Sequence, residues 1–317
     1  MISKRSPALS ISLTLLVLFF IVPIAGAAEP IWTYASNGDE IGGVSISSDG
    51  SAIAVAAGKI WQFSRNGTLL AKEPFGEQVV FSRDGSSLVS SYSSTLFLFK
   101  RNSSLKESEP LLEKIWDISL PATVQSIDIS DDGNTIVASI DSAGTYIFSS
   151  TGKIIGSDKR YNKLIRVSSS GTRIAGVSTG VLCQYSRAGI CSKSDAEIVG
   201  SQPDVMELTS DGINVIFNDD QRVRSVFLNN KTLRWSRRAT GDVTSLAITP
   251  DGSRILVGVD NGNIDLFDDL GNISWSYVSN PTKNQAAGIT SVALSKDASV
   301  AVAGSHDGKI FALNSKG

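Results

Sequence analysis

Short apolar segments alternate with turns of Gly, Asp, Asn and Ser along most of the chain. One motif recurs, and it consists of an apolar segment, a turn rich in Ser or Asp that closes on Gly, and a second apolar segment. The seven copies are VSISSDGSAIAV (44–55), VVFSRDGSSLVS (79–90), IDISDDGNTIVA (127–138), IRVSSSGTRIAG (165–176), MELTSDGINVIF (206–217), LAITPDGSRILV (246–257) and VALSKDASVAVA (292–303). Their turn glycines, with Ala298 in the last copy, lie 35 to 48 residues apart. This alternation between glycine-rich turns predicts antiparallel β-hairpins.

Each copy is followed by two more apolar segments, which predict a third and a fourth strand. A third apolar segment ends in an aromatic residue or Leu, as in KIWQF (59–63) and NIDLF (263–267). A turn with Gly or Asn follows, and then a fourth segment, which contains Trp in three copies (Trp116, Trp235 and Trp275). Four antiparallel strands in about 40 residues, repeated seven times, are typical of β-propeller blades. We therefore predict an all-β fold, a seven-bladed β-propeller that spans residues 29–317.

The last copy stops early, because GKIFALNSKG (308–317) ends the chain where a fourth strand is due. The segment EPIWTY (29–34) repeats the Trp-x-Tyr pattern of ISWSY (273–277) and precedes the first complete blade. We predict that residues 31–34, with Ile31, Trp32 and Tyr34, form the fourth and outermost strand of the seventh blade. Hydrogen bonds between the two chain ends would then close the ring and cover an open sheet edge.

The repeats resemble two known families. The Asp-Gly turn is similar to the SPDG turn of WD40 and YVTN-type repeats, and the fourth strand at residues 271–275 is similar to the Gly-x-Ile-x-Trp strand of quinoprotein (PQQ-like) repeats. The resemblance covers residues 29–317 and implies an exported propeller. No repeat has the Gly-His and Trp-Asp pairs of WD40 proteins, and the longer quinoprotein consensus is missing. The resemblance is therefore specific for the fold and weak for the function.

Residues 1–28 have the layout of an export signal. Lys4 and Arg5 precede an apolar run at residues 8–24, and small residues follow up to Ala28. This arrangement predicts a signal peptide cut after Ala27 or Ala28. An uncleaved anchor is the alternative, although the run is short for a membrane span of about 20 residues. In either case we expect the propeller outside the cytoplasm, secreted or at the cell surface, with membrane contact only through an uncleaved segment.

Composition and charge limit the classes of molecule that the protein is expected to bind. The chain is 41% hydrophobic and 19% charged, which is enough for a packed core. Its formal net charge of −2 offers no electrostatic reason to bind nucleic acid. We expect a monomer whose partner is an extracellular or envelope protein or glycan.

The sequence offers little catalytic chemistry. His306 is the single histidine, it lies in a Gly-Ser-His-Asp-Gly turn, and one histidine alone does not make a common zinc site. The quinoprotein resemblance would imply Ca²⁺ beside a quinone and often a disulfide between adjacent cysteines, but no Cys-Cys pair occurs. We therefore predict no catalytic residues, no cofactor and no metal. A calcium site in the turns DNGNID (260–265) or NDDQ (218–221) remains an alternative, although neither has EF-hand spacing.

Several acidic turns of one type recur in different blades, between the second and third strands. We expect them to lie on one rim of the disc, which they would make acidic. These rim residues are Asp141, Asp219, Asp220, Asp260, His306 and Asp307. The longest loops precede the first strands of blades five, six and seven, at residues 194–204, 237–242 and 279–288. Because exposed loops on a rigid scaffold carry function, we predict that the partner binds this rim.

Two covalent features remain open. Cys183 and Cys191 belong to a hairpin of blade four, and in an exported chain they favour a disulfide that acts as a local staple. A three-residue turn at 187–189 would place them diagonally, whereas a turn centred on Arg187 would place them opposite each other. Sequons for N-glycosylation lie in turns before fourth strands, on one face, although turn chemistry alone also favours Asn there. They are Asn66, Asn102, Asn230 and Asn272.

These observations favour a non-enzymatic binding or scaffold module at the cell surface that engages a protein or glycan through one rim. The alternative is a quinoprotein-type, PQQ-dependent oxidoreductase or an envelope-assembly factor. The scarcity of histidine and the absence of an evident nucleophile–base pair favour the first interpretation.

Overall fold

The computed structural model describes residues 30–36, 40–101, 112–160, 162–178, 181–192, 202–230, 232–279 and 288–314. These residues form 28 β-strands in seven antiparallel sheets of four strands. The predicted export or anchor segment at residues 1–28 lies outside the described residues. Within the described ranges, no helix is long and apolar enough to cross a membrane.

The strands follow the repeat order of the sequence. Blade 1 contains β2 (Gly43–Ile46), β3 (Ala52–Ala56), β4 (Gly58–Ser64) and β5 (Leu69–Gly76). Blade 2 contains β6 (Gln78–Phe81), β7 (Ser87–Tyr92), β8 (Thr95–Arg101) and β9 (Leu112–Ser119). Blade 3 contains β10 (Val124–Ile129), β11 (Thr135–Ile140), β12 (Gly144–Ser149) and β13 (Ile154–Asp158). Blade 4 contains β14 (Leu164–Val167), β15 (Ile174–Ser178), β16 (Val181–Tyr185) and β17 (Cys191–Ser192).

The other three blades repeat this plan. Blade 5 contains β18 (Met206–Leu208), β19 (Asn214–Asp219), β20 (Arg222–Phe227) and β21 (Leu233–Arg238). Blade 6 contains β22 (Val243–Ile248), β23 (Arg254–Val259), β24 (Asn263–Asp268) and β25 (Ile273–Val278). Blade 7 contains β26 (Ile289–Leu294), β27 (Val300–Ser305), β28 (Lys309–Asn314) and β1 (Pro30–Ala35).

The first strands of successive blades contact one another in order, and β26 of blade 7 contacts β2 of blade 1, so the seven sheets form a closed ring. The core consists of seven apolar clusters, each between neighbouring blades. Both faces of the inner strands are therefore covered, and β11 is buried at every position. This explains why the second segment of each repeat is a nearly continuous apolar run. The predicted seven-bladed propeller is confirmed.

Ring closure by the N-terminal strand is also confirmed. β1 pairs with β28 antiparallel, with Trp32 opposite Ala312 and Tyr34 opposite Ile310. The Tyr34 ring meets the Trp61 ring of blade 1 edge to face, with the ring centroids 5.6 Å apart. β1 therefore completes one blade and packs against the next.

Trp32, Trp116 and Trp235 of three fourth strands each attach their own blade to the next one. The indole Nε1 of Trp32 donates a hydrogen bond to the Arg65 carbonyl at 2.8 Å, that of Trp116 to Ser150 at 2.9 Å, and that of Trp235 to Asp269 at 2.8 Å. Each indole lies against a turn glycine with φ of 80°, and these glycines are Gly67, Gly152 and Gly271. A Cβ atom on Gly67 would lie 2.8 Å from the Trp32 ring. The glycine of the third turn thus serves both the turn and the contact between blades.

The Asp-Gly turns share one hydrogen-bond pattern, shown by the first copy. Asp49 Oδ1 accepts from Ser47 Oγ at 2.6 Å and from the Ser51 amide at 3.0 Å. Ser47 Oγ in turn accepts from the Ala52 amide at 3.0 Å. Burial raises the pKa of Asp49, but the hydrogen bonds from Ser47 and Ser51 outweigh burial and lower it to about 2. The recurring Ser/Thr-x-Asp pattern is therefore a turn-forming device.

Cys183 and Cys191 form a disulfide with their Cα atoms 5.9 Å apart. Tyr185 is the direct cross-strand partner of Cys191, so the two cysteines are diagonal neighbours, as the three-residue turn requires. Since β17 has only two residues, the disulfide attaches a short outer strand to β16.

Replacing both cysteines by Ala is expected to lower the free energy of unfolding by about 2–3 kcal/mol, because a cross-link over a short loop restricts the unfolded chain. Urea denaturation followed by circular dichroism measures this change. The native chain in excess dithiothreitol should reproduce the shift of the double variant, and an unchanged midpoint in both samples would contradict a stabilising disulfide.

Candidate functional site

Antiparallel topology gives the disc two faces. The upper face carries the turns between second and third strands and the connections that enter first strands, and the lower face carries the other turns. Within each blade these two kinds of upper loop are joined. The Asp141 amide donates to the Thr123 carbonyl at 2.9 Å, and the His306 amide donates to the Gly288 carbonyl at 2.9 Å. Asp141, Asp220, Asp260, His306 and Asp307 all belong to upper-face turns.

Asp219 differs from this group. It ends β19 with 7% exposure, and its carboxylate forms an ion pair with Arg224 on the neighbouring strand. Its negative charge is therefore neutralised inside the blade and is not presented on the rim. The sequence could not reveal this, because Arg224 reaches Asp219 only through the pairing of β19 with β20.

In the last blade, the acidic turn forms its contacts with residues of the protein itself. Asp307 accepts hydrogen bonds from Ser305 Oγ and, at 2.6 Å, from Lys309 Nζ. Burial raises the pKa of Asp307, but these two donors outweigh burial and lower it. His306 Nδ1 lies 2.9 Å from Glu40 Oε1, which belongs to the connection that enters blade 1.

Blade 6 has a similar internal network. Asp260 Oδ1 accepts a hydrogen bond from the Asp242 amide at 2.9 Å. Thr240 Oγ1 donates to Asp265 Oδ2 at 3.0 Å, and burial raises the pKa of Asp265. Asp260 and Asp307 therefore hold the loops in place as much as they offer charge to a partner. Of the three long loops, residues 237–242 are described, whereas residues 194–201 and 280–287 lie outside the described ranges.

An exposed aromatic pair on the upper face was missed by the sequence analysis. Phe75, at the end of β5, is 52% exposed and Tyr92, at the end of β7, is 37% exposed. Their ring centroids are 5.1 Å apart, with the planes inclined by 45°. Glu77 Oε2 accepts a hydrogen bond from the Ser93 amide at 2.9 Å and so fixes one loop to the other. The signal in the sequence was an aromatic residue in Pro-Phe-Gly (74–76), at the end of a fourth strand and directly before the next blade, where polar residues are usual.

Phe75 also has an unusual backbone. Its φ of 66° lies in the left-handed region, which a bulky side chain adopts only at a cost in free energy. Glycine would adopt this conformation without strain. Phe75 is thus strained and exposed, and its ring contributes little to the packing of the core.

The first strands of all seven blades surround a central channel of about 330 Å³. Its walls combine aliphatic side chains with polar groups, and they include a charged cluster across blades 3 to 5. Arg166 Nε donates to Glu207 Oε1 at 2.9 Å, and Asp128 Oδ2 accepts from the Val167 amide at 2.7 Å. Burial raises the pKa of Asp128 to about 6, a rise that Arg166 opposes and Glu207 reinforces.

The repeats contained the signal for this cluster. When the copies are aligned on their turns, Asp128, Arg166 and Glu207 occupy one column, in IDIS, IRVS and MELT. In the other four blades this column holds Ser45, Val80, Ala247 and Ala293. Charge confined to one column of three consecutive blades indicates residues that meet across the ring.

The channel does not fit the calcium and quinone that the quinoprotein resemblance implies. Arg166 and Glu207 neutralise each other, and Asp128 is occupied by two backbone amides. Across the described ranges, no group of three or more His, Cys, Asp and Glu side chains could hold a metal ion. No reaction step is therefore assigned to such a cofactor.

The sequons Asn66, Asn230 and Asn272 lie in lower-face turns and are exposed. Asn102 lies outside the described residues. The Asn272 side chain donates to Asp268 Oδ2 at 3.0 Å, so it also has a role in its turn. Use of these sequons stays a prediction.

Comparisons with known proteins agree with this architecture. A family model described as Outer membrane protein assembly factor BamB, of the PQQ-like type, matches residues 207–317. This match covers about a third of the chain, and in that part the chain is similar to PQQ-like repeats. A chain in the crystal structure of a mitotic checkpoint complex is 13% identical and superimposes with a TM-score of 0.72, covering 99% of this propeller and 98% of that chain. Because 1801 chains of solved structures match, the likeness shows the fold alone. No curated protein matches this propeller in sequence.

Proposed function

We propose that this propeller is a non-enzymatic binding or scaffold module outside the cytoplasm, which engages a protein partner through its upper face. The Phe75–Tyr92 pair carries the proposal. Exposed aromatic side chains are the residue type most enriched among binding hot spots, and these two have 52% and 37% of their surface accessible. The match of residues 207–317 to a family named for assembly at the outer membrane supports both the role and the location.

The geometry of the pair favours a protein over a glycan. Planes inclined by 45° form a corner between the rings, and a corner receives an apolar side chain better than the flat face of a sugar. The hydrogen bond from the Ser93 amide to Glu77 holds both loops, so little conformational freedom is lost when a partner binds.

Photo-crosslinking in the native host tests this proposal. A benzoylphenylalanine at Tyr92 is expected to give a discrete adduct with a partner protein. Ile213 on the lower face is the matched control, because both side chains are 37% exposed. Equal adducts at the two positions, or an adduct at Ile213 alone, would argue against binding through the upper face.

Substitution of Phe75 separates binding from stability. Phe75→Gly is expected to unfold within about 1 kcal/mol of the native chain, because relief of the positive φ offsets the lost ring contact. The same variant should lower the crosslinking yield at Tyr92 at least about tenfold, the loss typical of a hot-spot residue.

Phe75→Ala is the matched control for strain, since it removes the ring but keeps the unfavourable φ. It should be about 1 kcal/mol less stable than Phe75→Gly and equally poor in crosslinking. Urea denaturation measures the stability difference. Normal crosslinking by both variants would show that the aromatic pair is not the contact.

A further inference from the structure

The fourth strands form the outer wall of the disc, and their charge is distributed unevenly around it. The outer strands of blades 1, 2 and 3 each contain acidic residues: Glu73 in β5, Glu113 and Asp117 in β9, and Asp158 in β13. The outer strands of blades 5, 6 and 7 read LRWSRR, ISWSYV and PIWTYA, and they contain three arginines and no acidic residue. Since blades 5, 6 and 7 are consecutive, these strands form one continuous sector, which we call the basic wall.

The basic wall exposes large aliphatic side chains along with its arginines. Leu233 of β21 is 54% exposed, Ile273 and Val278 of β25 are 46% and 45% exposed, and Ile31 of β1 is 47% exposed. Arg234, Arg237 and Arg238 are exposed on β21. Aliphatic residues combined with arginine, without acidic residues, are typical of protein surfaces that rest in the headgroup region of a membrane.

The positive charge at blade 5 is costly to the isolated protein. Arg222 and Arg238 are direct cross-strand partners, and like charges in this position repel each other. From residue 221 to residue 241 the sequence contains six basic residues and no acidic residue, whereas the chain as a whole has 29 basic and 31 acidic residues. The acidic residues Asp220 and Asp269 lie nearby in turns, and Asp219 already pairs with Arg224. An anionic partner would relieve this repulsion.

The N-terminal segment of the chain also joins the disc at the basic wall. β1 begins at Pro30 on the outer strand of blade 7, so residues 1–29, with the apolar run at 8–24, join the disc within the basic wall. Pro30, Ile273 and Leu233 all lie at the lower-face ends of their outer strands, because each of these strands starts there. An uncleaved run would therefore hold the membrane next to this wall.

We propose that the basic wall docks on a lipid surface with anionic headgroups, with blade 6 against the membrane. The aliphatic side chains of β25 and β1 enter the headgroup region, and the arginines of β21 pair with phosphate groups, which the guanidinium fork matches. Long arginine side chains can reach a flat surface from the curved wall of blade 5. The disc then stands on its edge, and its upper face stays free for a partner.

The test places an environment-sensitive fluorophore on two outer strands of the full chain. Ile273→Cys labels the basic wall, and Ile154→Cys on blade 3 is the control, since these side chains are 46% and 50% exposed. Each protein is mixed with phosphatidylcholine vesicles that contain brominated lipid, with or without about 30 mol% phosphatidylglycerol. We expect strong quenching of the Ile273 probe on the anionic vesicles only, and little quenching of the Ile154 probe. Equal quenching at both positions would overturn the proposal.

Charge variants complete the test, because insertion of the N-terminal run alone could hold the chain on vesicles. Arg234→Gln, Arg237→Gln and Arg238→Gln together should weaken the quenched state roughly 100-fold, at the usual contribution of one basic residue near an anionic surface. Lys114→Gln, Lys153→Gln and Lys159→Gln remove the same charge from blades 2 and 3 and should leave quenching of the Ile273 probe unchanged. Equal effects of the two triple variants would reject the basic wall.

Two soluble anions identify other sources of the same chemistry. Inorganic phosphate should not displace the Ile273 probe from vesicles, and displacement would mean that the arginines bind a free anion. Polyglutamate should not shift the probe in the absence of lipid. A saturable shift with polyglutamate, together with no quenching on vesicles, would reject the lipid surface in favour of an acidic polypeptide.

Discussion

A chain that starts at residue 36 is expected to lose the cooperative unfolding transition that a chain starting at residue 30 shows. The shorter chain lacks β1, and with it the outer strand of blade 7 and the Trp32 hydrogen bond to Arg65. Its loss also uncovers the cluster of Trp61 and Phe63 between blades 7 and 1. Removing one such aromatic side chain from a core costs about 3–5 kcal/mol, a large part of the roughly 5–15 kcal/mol that stabilises a typical domain.

Thermal unfolding followed by circular dichroism and by tryptophan fluorescence compares the two chains. The chain that starts at residue 30 should give one sharp transition seen equally by both probes. The shorter chain should give a broad transition at a much lower temperature. If both chains melt alike, β1 is a dispensable terminal strand and not the element that closes the ring.

Acidification is expected to unfold the propeller between about pH 4 and pH 2, because Asp side chains in the lower-face turns are held charged by hydrogen bonds. The pKa of Asp49 is lowered from 3.8 to about 2. The pKa is also lowered in four more turn residues. These are Asp84, Asp132, Asp251 and Asp297. In three of them burial raises the pKa, but hydrogen bonds from neighbouring Ser, Thr or Asn groups outweigh burial, and in Asp297 the hydrogen bonds are the largest influence.

The sign follows from comparing the folded and unfolded chains. A carboxyl whose pKa is lower in the folded chain stabilises the fold above its unfolded pKa, and this stability is lost as the pH falls through the folded value. Each exposed turn contributes about 0.5–1 kcal/mol after screening by solvent, so the five together contribute a few kcal/mol. Asp128 acts in the opposite sense, because its pKa of about 6 favours the folded chain once it is protonated. Stability should therefore rise slightly from pH 7 to pH 5 and fall steeply below pH 4.

Urea denaturation across this pH range measures the profile. Asp128→Asn should remove most of the rise between pH 7 and pH 5 and leave the acid limb unchanged. Asp49→Asn combined with Asp84→Asn should make the acid limb shallower and leave the rise intact. A flat profile down to pH 2 would mean that the turn aspartates do not stabilise the folded chain.

The repeat pattern was sufficient to predict the blades, their number and the closing strand. Each of these depends on information that is local in the chain: the alternation of apolar residues, the turn glycines, and the Trp-x-Tyr shared by residues 29–34 and 273–277. The register of the cysteine hairpin depended on one turn, so the sequence left two registers open and the pairing of Tyr185 with Cys191 selected one.

The surroundings of the predicted site residues depend on packing that the sequence does not record, as Asp219 illustrates. The repeat predicted Asp219 in an upper-face turn, but this residue ends β19, and its burial and its ion pair with Arg224 depend on which strand lies beside it. The Phe75–Tyr92 pair shows the same limit, because the two residues belong to different blades and meet only when the blades pack.

For this protein, the sequence by itself determined the architecture: seven sheets of four strands, the turn type that joins the strands, and the N-terminal strand that completes the last blade. These follow from short-range preferences of the backbone, repeated at a steady interval. The tertiary structure alone decided which charges are neutralised, which aromatic residues stay exposed, and which outer strands form the basic wall. These properties arise between neighbouring blades, where residues about 40 positions apart share one environment, and no pattern within a single repeat records that environment.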